Sequence, residues 1–267
     1  MQSEIQLTAL NKAQIQRQFD RSARRYDQVA QMQRKIVGDM LDLAGSTKGS
    51  VSTSSILDAG CGTGYGLQEL VNAYPQADFS GLDLAPSMLE VARKCTPQAQ
   101  FYQGDIEQLP FSDQSFDLVW SSSAIQWCET QQAISELARV AQPGGQVLIS
   151  TFSEGTLTQW RSLWSLGESE RRFESVETIE SSVIKAGLKN IRIHSKTYTQ
   201  AFFSFTEAVN SIRDLGAGNA EYDRSKGLLG AARYKSIKRK FEQVIEQQGQ
   251  FDMPYVVTFI IAQKPQN

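Results

Sequence analysis

One stretch near the start of the chain limits what the chain can fold into. It runs from Ser55 to Gly64 and reads Ser-Ile-Leu-Asp-Ala-Gly-Cys-Gly-Thr-Gly, an apolar run, then an acid and alternating glycines. The apolar run is typical of a buried strand, and the helical spacing of Leu67, Leu70 and Val71 predicts a helix directly after it. The glycines therefore join a strand to a helix, in a loop whose backbone a ligand can approach closely.

The spacing of the glycines distinguishes between classes of ligand-binding loop. A dinucleotide loop needs glycine at its first, third and sixth positions, and the sixth position counted from Gly60 is Tyr65. A triphosphate loop needs Gly-Lys followed by Ser or Thr, which is missing here. The pattern Asp-x-Gly-x-Gly-x-Gly resembles motif I of the class I S-adenosylmethionine methyltransferases, whose ligand carries an ammonium group that the acid at Asp58 suits. A tight structural turn remains the alternative for the glycines alone.

Strands and helices alternate from Ser55 to about Phe152, which predicts a parallel sheet covered by helices on both faces. We expect strands at 56–59, 78–83, 100–103, 116–121 and 146–151, and helices at 65–73, 86–94 and 131–141. Outside this region we expect helices across 11–44, 153–182 and 202–247, a further helix and strand at 182–187 and 190–195, and a last strand at 255–262.

Three acids, Asp58, Asp83 and Asp105, stand at the ends of three successive predicted strands. The carboxyl ends of parallel strands meet at one edge of a sheet, so we expect these side chains to share a site. Asp83 is placed to accept hydrogen bonds from ribose hydroxyls. Asp105 is placed to reach an adenine amino group, with Ile106 beside the ring.

Composition is that of an ordinary globular protein, with 40% hydrophobic residues in 267. The N-terminal sequence has no basic-then-apolar leader, and no window approaches eighteen consecutive apolar residues. We therefore expect a cytoplasmic protein with neither a membrane nor a nucleic acid as partner.

Cysteine and histidine positions argue against metal and hydrolase chemistry. Cys61, Cys95, Cys128 and the single histidine, His194, lack the spacing of metal ligands or of a disulfide framework. His194 lies in an alternating segment where a polar strand position explains it. A histidine-based triad would have to use it, so hydrolase chemistry is disfavoured.

Two segments are strongly basic in a chain whose net charge is −2. Residues 12–35 and residues 221–240 each hold seven Lys or Arg against two acids. This asymmetry suggests attraction to an acidic partner, and two solvated helix faces are the alternative.

Longer motifs narrow the prediction. They are Phe19-Asp-Arg-Ser-Ala-Arg-Arg-Tyr-Asp, Leu57-Asp-Ala-Gly-Cys-Gly, Gly104-Asp-Ile-Glu-Gln-Leu-Pro, Ala124-Ile-Gln-Trp-Cys and Ile212-Arg-Asp-Leu-Gly-Ala-Gly. Together they resemble the malonyl-acyl-carrier-protein O-methyltransferases of biotin synthesis, the BioC family. The likeness covers most of the chain, and it is strong through Thr151 and looser across 153–200.

This resemblance implies an α/β fold of the class I methyltransferases, a Rossmann-like doubly wound sheet that is mostly parallel with one antiparallel strand. It implies an N-terminal helical lid at 1–50, a cofactor-binding core at 51–152, and the remainder of the sheet with a helical substrate cap at 153–267. The implied reaction moves a methyl group from S-adenosylmethionine to the free carboxylate of a malonyl thioester, on acyl carrier protein or coenzyme A.

The predicted site has a cofactor side and an acceptor side. The cofactor side comprises Asp58, Gly60, Gly62, Asp83, Leu84, Asp105, Ile106 and Ser121; the acceptor side comprises Tyr26, Trp127 and Arg213. We expect no catalytic base, because a carboxylate is already ionised near neutral pH, and no metal. Alignment and exclusion of water would provide the catalysis, which calls for a lid. Core packing for Trp127 and a surface ion pair for Arg213 remain alternatives.

Two other functions stay open. One is a methyltransferase for another small carboxylic acid or a quinone-like ring, although a ring or phenol acceptor would ask for a base that the sequence does not offer. The other is a noncatalytic protein that binds S-adenosylmethionine and works through partners, which a bound but never consumed cofactor would favour.

Overall fold

The computed structural model describes residues 12–45, 53–163, 173–214 and 231–266. In chain order the described elements are α1 (Lys12–Val29), α2 (Gln31–Gly45), β1 (Ser55–Ala59), α3 (Tyr65–Ala73), β2 (Asp78–Asp83), α4 (Pro86–Cys95), β3 (Gln100–Gln103), β4 (Phe116–Ser122), a 3-10 turn (Ile125–Trp127), α5 (Thr130–Val140), β5 (Ala141–Phe152), α6 (Thr158–Leu163), α7 (Val176–Lys185), β6 (Lys189–Phe202), α8 (Phe205–Asp214), α9 (Ala231–Gln248) and β7 (Phe251–Gln263).

The strands form one seven-stranded sheet in the order β3-β2-β1-β4-β5-β7-β6. The first five are parallel to one another, and β7 is antiparallel to both of its neighbours, β5 and β6. This confirms the predicted mostly parallel sheet with one antiparallel strand. The strand order reverses between β1 and β4, and at such a switch point the carboxyl ends of the strands open a crevice.

The first four strands and their helices fall close to the predicted bounds, but β5 begins at Ala141, five residues earlier than predicted, and the last two strands are also longer than predicted. Lys189 pairs with Gln263 at one end of the β6–β7 ladder and Phe202 pairs with Phe251 at the other. Backbone pairing with β7 continues along β6 where its apolar and polar side chains no longer alternate regularly. The hydrophobic pattern therefore predicted a strand that was too short. Of the predicted helices across 153–182 and 202–247, residues 164–172 and 215–230 lie outside the described residues.

Apolar side chains cover both faces of the sheet. One face packs on α5 and α7, and its core includes Leu57, Val119, Leu137, Ile179 and Ile260. Burying each such side chain contributes about 1.5–3 kcal/mol. The opposite face packs on α2 and α3, with Trp120 and Phe259 fully or almost fully buried in it. A third cluster joins α6, α8 and α9 to the ends of β6 and β7.

The two N-terminal helices differ in how deeply they are embedded. α2 contributes Ile36, Val37, Met40 and Ala44 to the core on one face of the sheet. α1 instead shares a small cluster with α4, formed by Ala23, Ala85 and Met88 with Phe19 and Tyr26 against them. α1 is therefore the N-terminal element that can act as a lid. Among the described helices, none is both long and apolar enough to cross a lipid bilayer.

Candidate functional site

A cavity opens at the carboxyl ends of β1 to β4, with about 1010 Å³ of empty space including its solvent-facing mouth. The cavity is lined by most of the predicted residues: Tyr26, Asp58, Gly60, Gly62, Asp83, Leu84, Asp105, Ile106 and Trp127. The parallel topology explains this, since each lies at or just after the end of a strand or on the helix above.

Two predicted residues are placed differently. Ser121 is fully buried and donates its hydroxyl to the carbonyl of Ala59 at 2.8 Å, and the next two residues, Ser122 and Ser123, line the cavity instead. The cavity is therefore lined by the two serines that follow Ser121 and not by Ser121 itself. Arg213 belongs to α8, but its side chain lies outside the described residues, so its role stays a prediction.

The glycine loop has a backbone that only glycine adopts without strain. Gly60 and Gly62 have φ angles of +83° and +53°. A Cβ added to Gly60 would lie 2.4 Å from the Cβ of Ala124, whereas one on Gly62 would meet nothing within 4 Å. The N–H groups of Gly60 and Cys61 donate to the carbonyl of Leu82 and hold the loop against β2. The loop therefore leaves open space for a ligand beside Gly62.

Asp58 is a buried carboxylate with no cation paired to it among the described residues. It is 2% exposed, and it makes no side-chain hydrogen bond with the described residues. Burial, and after it the charge of Asp83, raises the pKa of Asp58 to about 8. Burying an unpaired charge is costly, so this position suits a ligand that brings a positive group.

Asp83 organises the loop as well as facing the cavity. Its two carboxylate oxygens accept hydrogen bonds from the N–H groups of Gly62 and Ala85, each at 2.9 Å. Burial raises the pKa of Asp83 to about 6, although these backbone bonds act in the opposite direction. Each oxygen keeps a further lone pair with which to accept a bond from a ligand hydroxyl.

Asp105 belongs to an ion-pair cluster that the sequence did not predict. One of its oxygens accepts from Lys12 Nζ at 3.0 Å, and the same ammonium lies 2.5 Å from Glu107. Asp105, Glu107 and Cys128 have the geometry of a possible metal site. Lys12 already forms ion pairs with both carboxylates, and burial raises the pKa of the Cys128 thiol to about 12, which disfavours the thiolate. We therefore interpret the cluster as an anchor for the start of α1.

Two more contacts tie α1 to the strand-end loops. Asp20 accepts from the N–H of Ser87 at the start of α4, at 3.0 Å, and Asp27 accepts from the hydroxyl of Thr63 at 2.7 Å. With Lys12, these contacts fasten α1 to the loops after β1, β2 and β3. One sequence signal was available, because Asp20 and Asp27 are the only acids of the basic segment 12–35 and stand two helical turns apart.

A second, smaller cavity of about 470 Å³ adjoins the first. The two share Tyr26, Gln33, Ser123 and Trp127, and the rest of the second is formed by Gln126, Phe152, Thr156, Leu157, Phe173 and Tyr255. Phe19 packs edge-on against Trp127 with ring centres 5.5 Å apart, so α1 covers this junction. Two of the three residues predicted for the acceptor side, Tyr26 and Trp127, lie where the cavities meet.

The junction offers hydrogen-bond donors rather than a base. Burial raises the pKa of Tyr26, so its hydroxyl stays protonated and can donate. His194 is exposed on β6, and neither cavity has a histidine among its described lining residues.

Comparisons with known proteins agree with this geometry. The methyltransferase domain family matches residues 57–149. A malonyl-acyl-carrier-protein O-methyltransferase of Erwinia pyrifoliae is 35% identical, with 88% of this chain and 87% of the relative covered. One of Herminiimonas arsenicoxydans is 30% identical, with 96% and 97% covered. A biotin biosynthesis bifunctional protein of Teredinibacter turnerae is 30% identical, and the chain spans about half of it, 47%.

Solved structures show the same fold. The YcgJ protein of Bacillus subtilis matches with a TM-score of 0.59 and 19% identity, covering 86% of this chain and 100% of that one. A putative methyltransferase of Haloferax volcanii, solved with the Trm112 activator, matches with a TM-score of 0.58 and 20% identity, covering 95% and 98%. These likenesses place the sheet and its helices among the class I methyltransferase folds.

Proposed function

Because this chain belongs to the malonyl-acyl-carrier-protein O-methyltransferase family, we propose that it methylates the free carboxylate of a malonyl thioester with S-adenosylmethionine, an early step of biotin synthesis. One observation carries the proposal: two cavities meet beneath α1, one lined by the glycine loop and the strand-end acids, the other mainly apolar. A cofactor and an acyl acceptor can meet at such a junction.

The residues of the larger cavity fit the cofactor. Asp58 would hold its ammonium group, a cation that this buried carboxylate does not find among the described residues. Asp83 would accept from the ribose hydroxyls, and Asp105 with Ile106 would hold the adenine. The open space beside Gly62 leaves room for the part of the cofactor that joins its ammonium group to its ribose. When bound, the cofactor supplies an electrophilic methyl group on a positively charged sulfur.

The protein's own task is then to position the acceptor and exclude water. An acceptor carboxylate needs no proton removed, which agrees with a junction whose described residues offer donors and no histidine. α1 covers the junction through Phe19, Tyr26 and its polar contacts, so the reacting groups meet out of water. Orientation by fixed groups can lower the barrier by about 7–11 kcal/mol when the reacting atoms are well aligned.

Replacing Asp83 with alanine should weaken S-adenosylmethionine binding by about 1.5–3 kcal/mol for each charge-assisted bond lost. Calorimetry measures this directly. Asp83→Asn, which keeps one carbonyl acceptor, should lose less than Asp83→Ala. Because Asp83 also holds Gly62 and Ala85, thermal unfolding must establish that each variant is folded. Unchanged affinity in a folded Asp83→Ala protein would remove Asp83 from the site.

The proposed reaction is tested by locating transferred label. The protein is incubated with S-adenosylmethionine labelled in its methyl group and with malonyl, succinyl or glutaryl thioesters. Label in the malonyl methyl ester supports the proposal, and label only in another acid or in a ring acceptor would replace it with a different methyltransferase activity. Cofactor that binds and is never consumed by any acyl thioester would favour a noncatalytic role.

We further propose that the protein-bound substrate docks on a basic surface formed by α1 and α9, both of which pack against α8. On α1, exposed arginines form no ion pair with the described residues: Arg17, Arg21, Arg24 and Arg25. On α9 the exposed cations are Lys235, Lys238, Arg239 and Lys240, of which Lys238 lies 3.6 Å from Glu242. The remainder of the predicted basic segment, 221–230, lies outside the described residues. Acyl carrier proteins are acidic, so such a surface would attract them.

Charge reversal of Lys235, Lys238 and Arg239 to Glu should raise KM for malonyl-acyl-carrier protein and leave KM for a small malonyl thioester unchanged. Added salt should have the same selective effect, because exposed charges are screened over about 8–10 Å at physiological ionic strength. Steady-state kinetics with both substrates measures it. Reversal of Lys94 and Lys185, exposed on other helices, is the matched control. If KM changes equally for both substrates, the two basic segments are solvated helix faces and not a docking surface.

We also place the reaction in the cytoplasm. Cys61, Cys95 and Cys128 are free thiols, with Cys95 exposed. Free thiols of this kind persist in a reducing compartment.

A further inference from the structure

The wall between the two cavities holds two polar groups that nothing so far explains. Gln33 of α2 and Ser123, just after β4, line both cavities. Gln33 Oε1 and Ser123 Oγ are buried and have no hydrogen-bond partner among the described residues. The described residues contain five such side-chain atoms, and two of them meet at this one junction. Buried polar atoms are nearly always bonded and cost about 1–3 kcal/mol when they are not, so a ligand's polar group belongs here.

Ser123 is held so that only its hydroxyl remains free. Its φ is +54°, in the left-handed region that serine rarely adopts. Its N–H donates to the carbonyl of Ser150 at 2.8 Å, and its carbonyl accepts from Gln126 Nε2 at 2.6 Å. Strained backbone of this kind persists where its surroundings fix it, and it concentrates at functional sites.

We infer that Ser123 and Gln33, together with Tyr26, hold the acceptor's carboxylate by uncharged hydrogen bonds, while its thioester arm occupies the second cavity. The inference rests on the proposed function. The Ser123 and Tyr26 hydroxyls each donate one bond, and the Gln33 amide offers two N–H donors when it turns about its last bond. Phe152, Leu157 and other apolar side chains of the second cavity suit the uncharged arm.

Uncharged donors suit this reaction better than a cation. The carboxylate oxygen forms a bond to the methyl carbon while the carbon–sulfur bond breaks, and the electron pair of the broken bond remains on the sulfur. The negative charge of the acceptor and the positive charge of the sulfur both disappear. A cation held against the carboxylate would therefore stabilise the reactants more than the transition state, whereas neutral donors orient the carboxylate with a smaller loss.

The described cations near the site are engaged elsewhere. Lys12 and Arg34 line the larger cavity but not the second one. Lys12 is paired with Asp105 and Glu107, and the Arg34 guanidinium lies 4.9 Å from the centre of the Tyr65 ring. Within the part of the chain that the structure describes, the groups that would contact the carboxylate at the junction are therefore the uncharged side chains of Tyr26, Gln33 and Ser123.

The test measures acceptor binding without turnover. Protein saturated with S-adenosylhomocysteine, which has no methyl group to transfer, is titrated with malonyl-pantetheine and separately with its methyl ester. Ser123→Ala and Gln33→Met should each weaken binding of the free acid roughly tenfold to a hundredfold, because hydrogen bonds to a charged acceptor are lost. Binding of the methyl ester should change much less, and affinity for S-adenosylhomocysteine should stay within about twofold of wild type, since neither side chain is assigned to the cofactor.

Two further variants distinguish loss of the Ser123 hydroxyl from an effect on the folded structure. Ser123→Gly removes the hydroxyl but relieves the left-handed φ, so it should bind the acid as poorly as Ser123→Ala. Thr96→Val removes another buried, unpartnered hydroxyl that lines neither cavity, and it should bind as wild type.

Wild-type binding of malonyl-pantetheine by both Ser123→Ala and Gln33→Met would overturn this inference, as would restored binding in Ser123→Gly. A wild-type protein that methylates no malonyl thioester would instead overturn the proposed function.

Discussion

Replacing Asp58 with asparagine should nearly abolish S-adenosylmethionine binding and, at the same time, make the ligand-free protein more stable. The carboxylate is buried beside Asp83 and has no cation among the described residues. Removing one partner of a buried charge pair costs about 3–5 kcal/mol, so the dissociation constant should rise by about two to four orders of magnitude. The ligand-free protein should gain stability because, near neutral pH, Asp58 must either take up a proton on folding or bury an unpaired charge, and the amide needs neither.

The stability gain should depend on pH in a defined direction. The pKa of Asp58 is raised from 3.8 to about 8 in the folded protein, so the folded state binds the proton more tightly than the unfolded chain. Ligand-free wild type should therefore lose stability as the pH rises from about 4 to about 8. Asp58→Asn should lack this contribution, while Asp83, with its pKa raised to about 6, adds a slope of the same sign in both proteins. Thermal unfolding across this range measures the difference.

Cofactor binding should also release a proton near pH 7. A bound ammonium favours the ionised carboxylate, so it lowers the pKa of Asp58 and expels its proton. Calorimetry in buffers of different ionisation enthalpy detects this release, which should be absent in Asp58→Asn. Cofactor affinity equal to wild type would show that Asp58 does not hold the ammonium. A less stable ligand-free variant would mean that the carboxylate has a structural partner.

Deleting residues 1–30 should leave a folded domain whose turnover falls about a hundredfold or more. α2 stays in the core through Ile36, Val37 and Met40, whereas loss of α1 uncovers mainly Ala85 and Met88. The deletion also removes Tyr26 and opens the junction to water, and displacements of about 1 Å already cost a hundredfold in rate. Turnover of a small malonyl thioester is the measurement. Near-normal turnover would show that α1 is not a lid.

A set of point variants tests the lid without exposing the core. Lys12→Ala, Asp20→Ala and Asp27→Ala together remove the polar contacts of α1 with the strand-end loops and keep its apolar face. Turnover should fall and proteolysis within α1 should become faster, since the helix opens more often. Ala13→Gln and Gln28→Ala change exposed positions on the same helix and should do neither. A triple variant that matches these controls would contradict the proposed role of the contacts.

Much of the cofactor side was determined by the sequence alone. Asp58, Asp83 and Asp105 lie at or just after the ends of β1, β2 and β3, and parallel strands present their carboxyl ends at one edge. Their proximity therefore follows from chain order once the strands are recognised. The loop glycines are equally local, because Gly60 and Gly62 need positive φ whatever surrounds them.

The contacts of α1 with the strand-end loops and the lining of the junction between the cavities depend on tertiary structure alone. Lys12 reaches Asp105 across 93 positions of the chain, and Thr63 reaches Asp27 across 36, and no local pattern encodes either pair. No local pattern identifies Gln33 and Ser123 either. They stand out only because each has a buried polar atom without a described partner where the two cavities meet. Such relations depend on how α1 and α2 pack over the sheet, and packing joins residues whose separation in the chain carries no periodic signal.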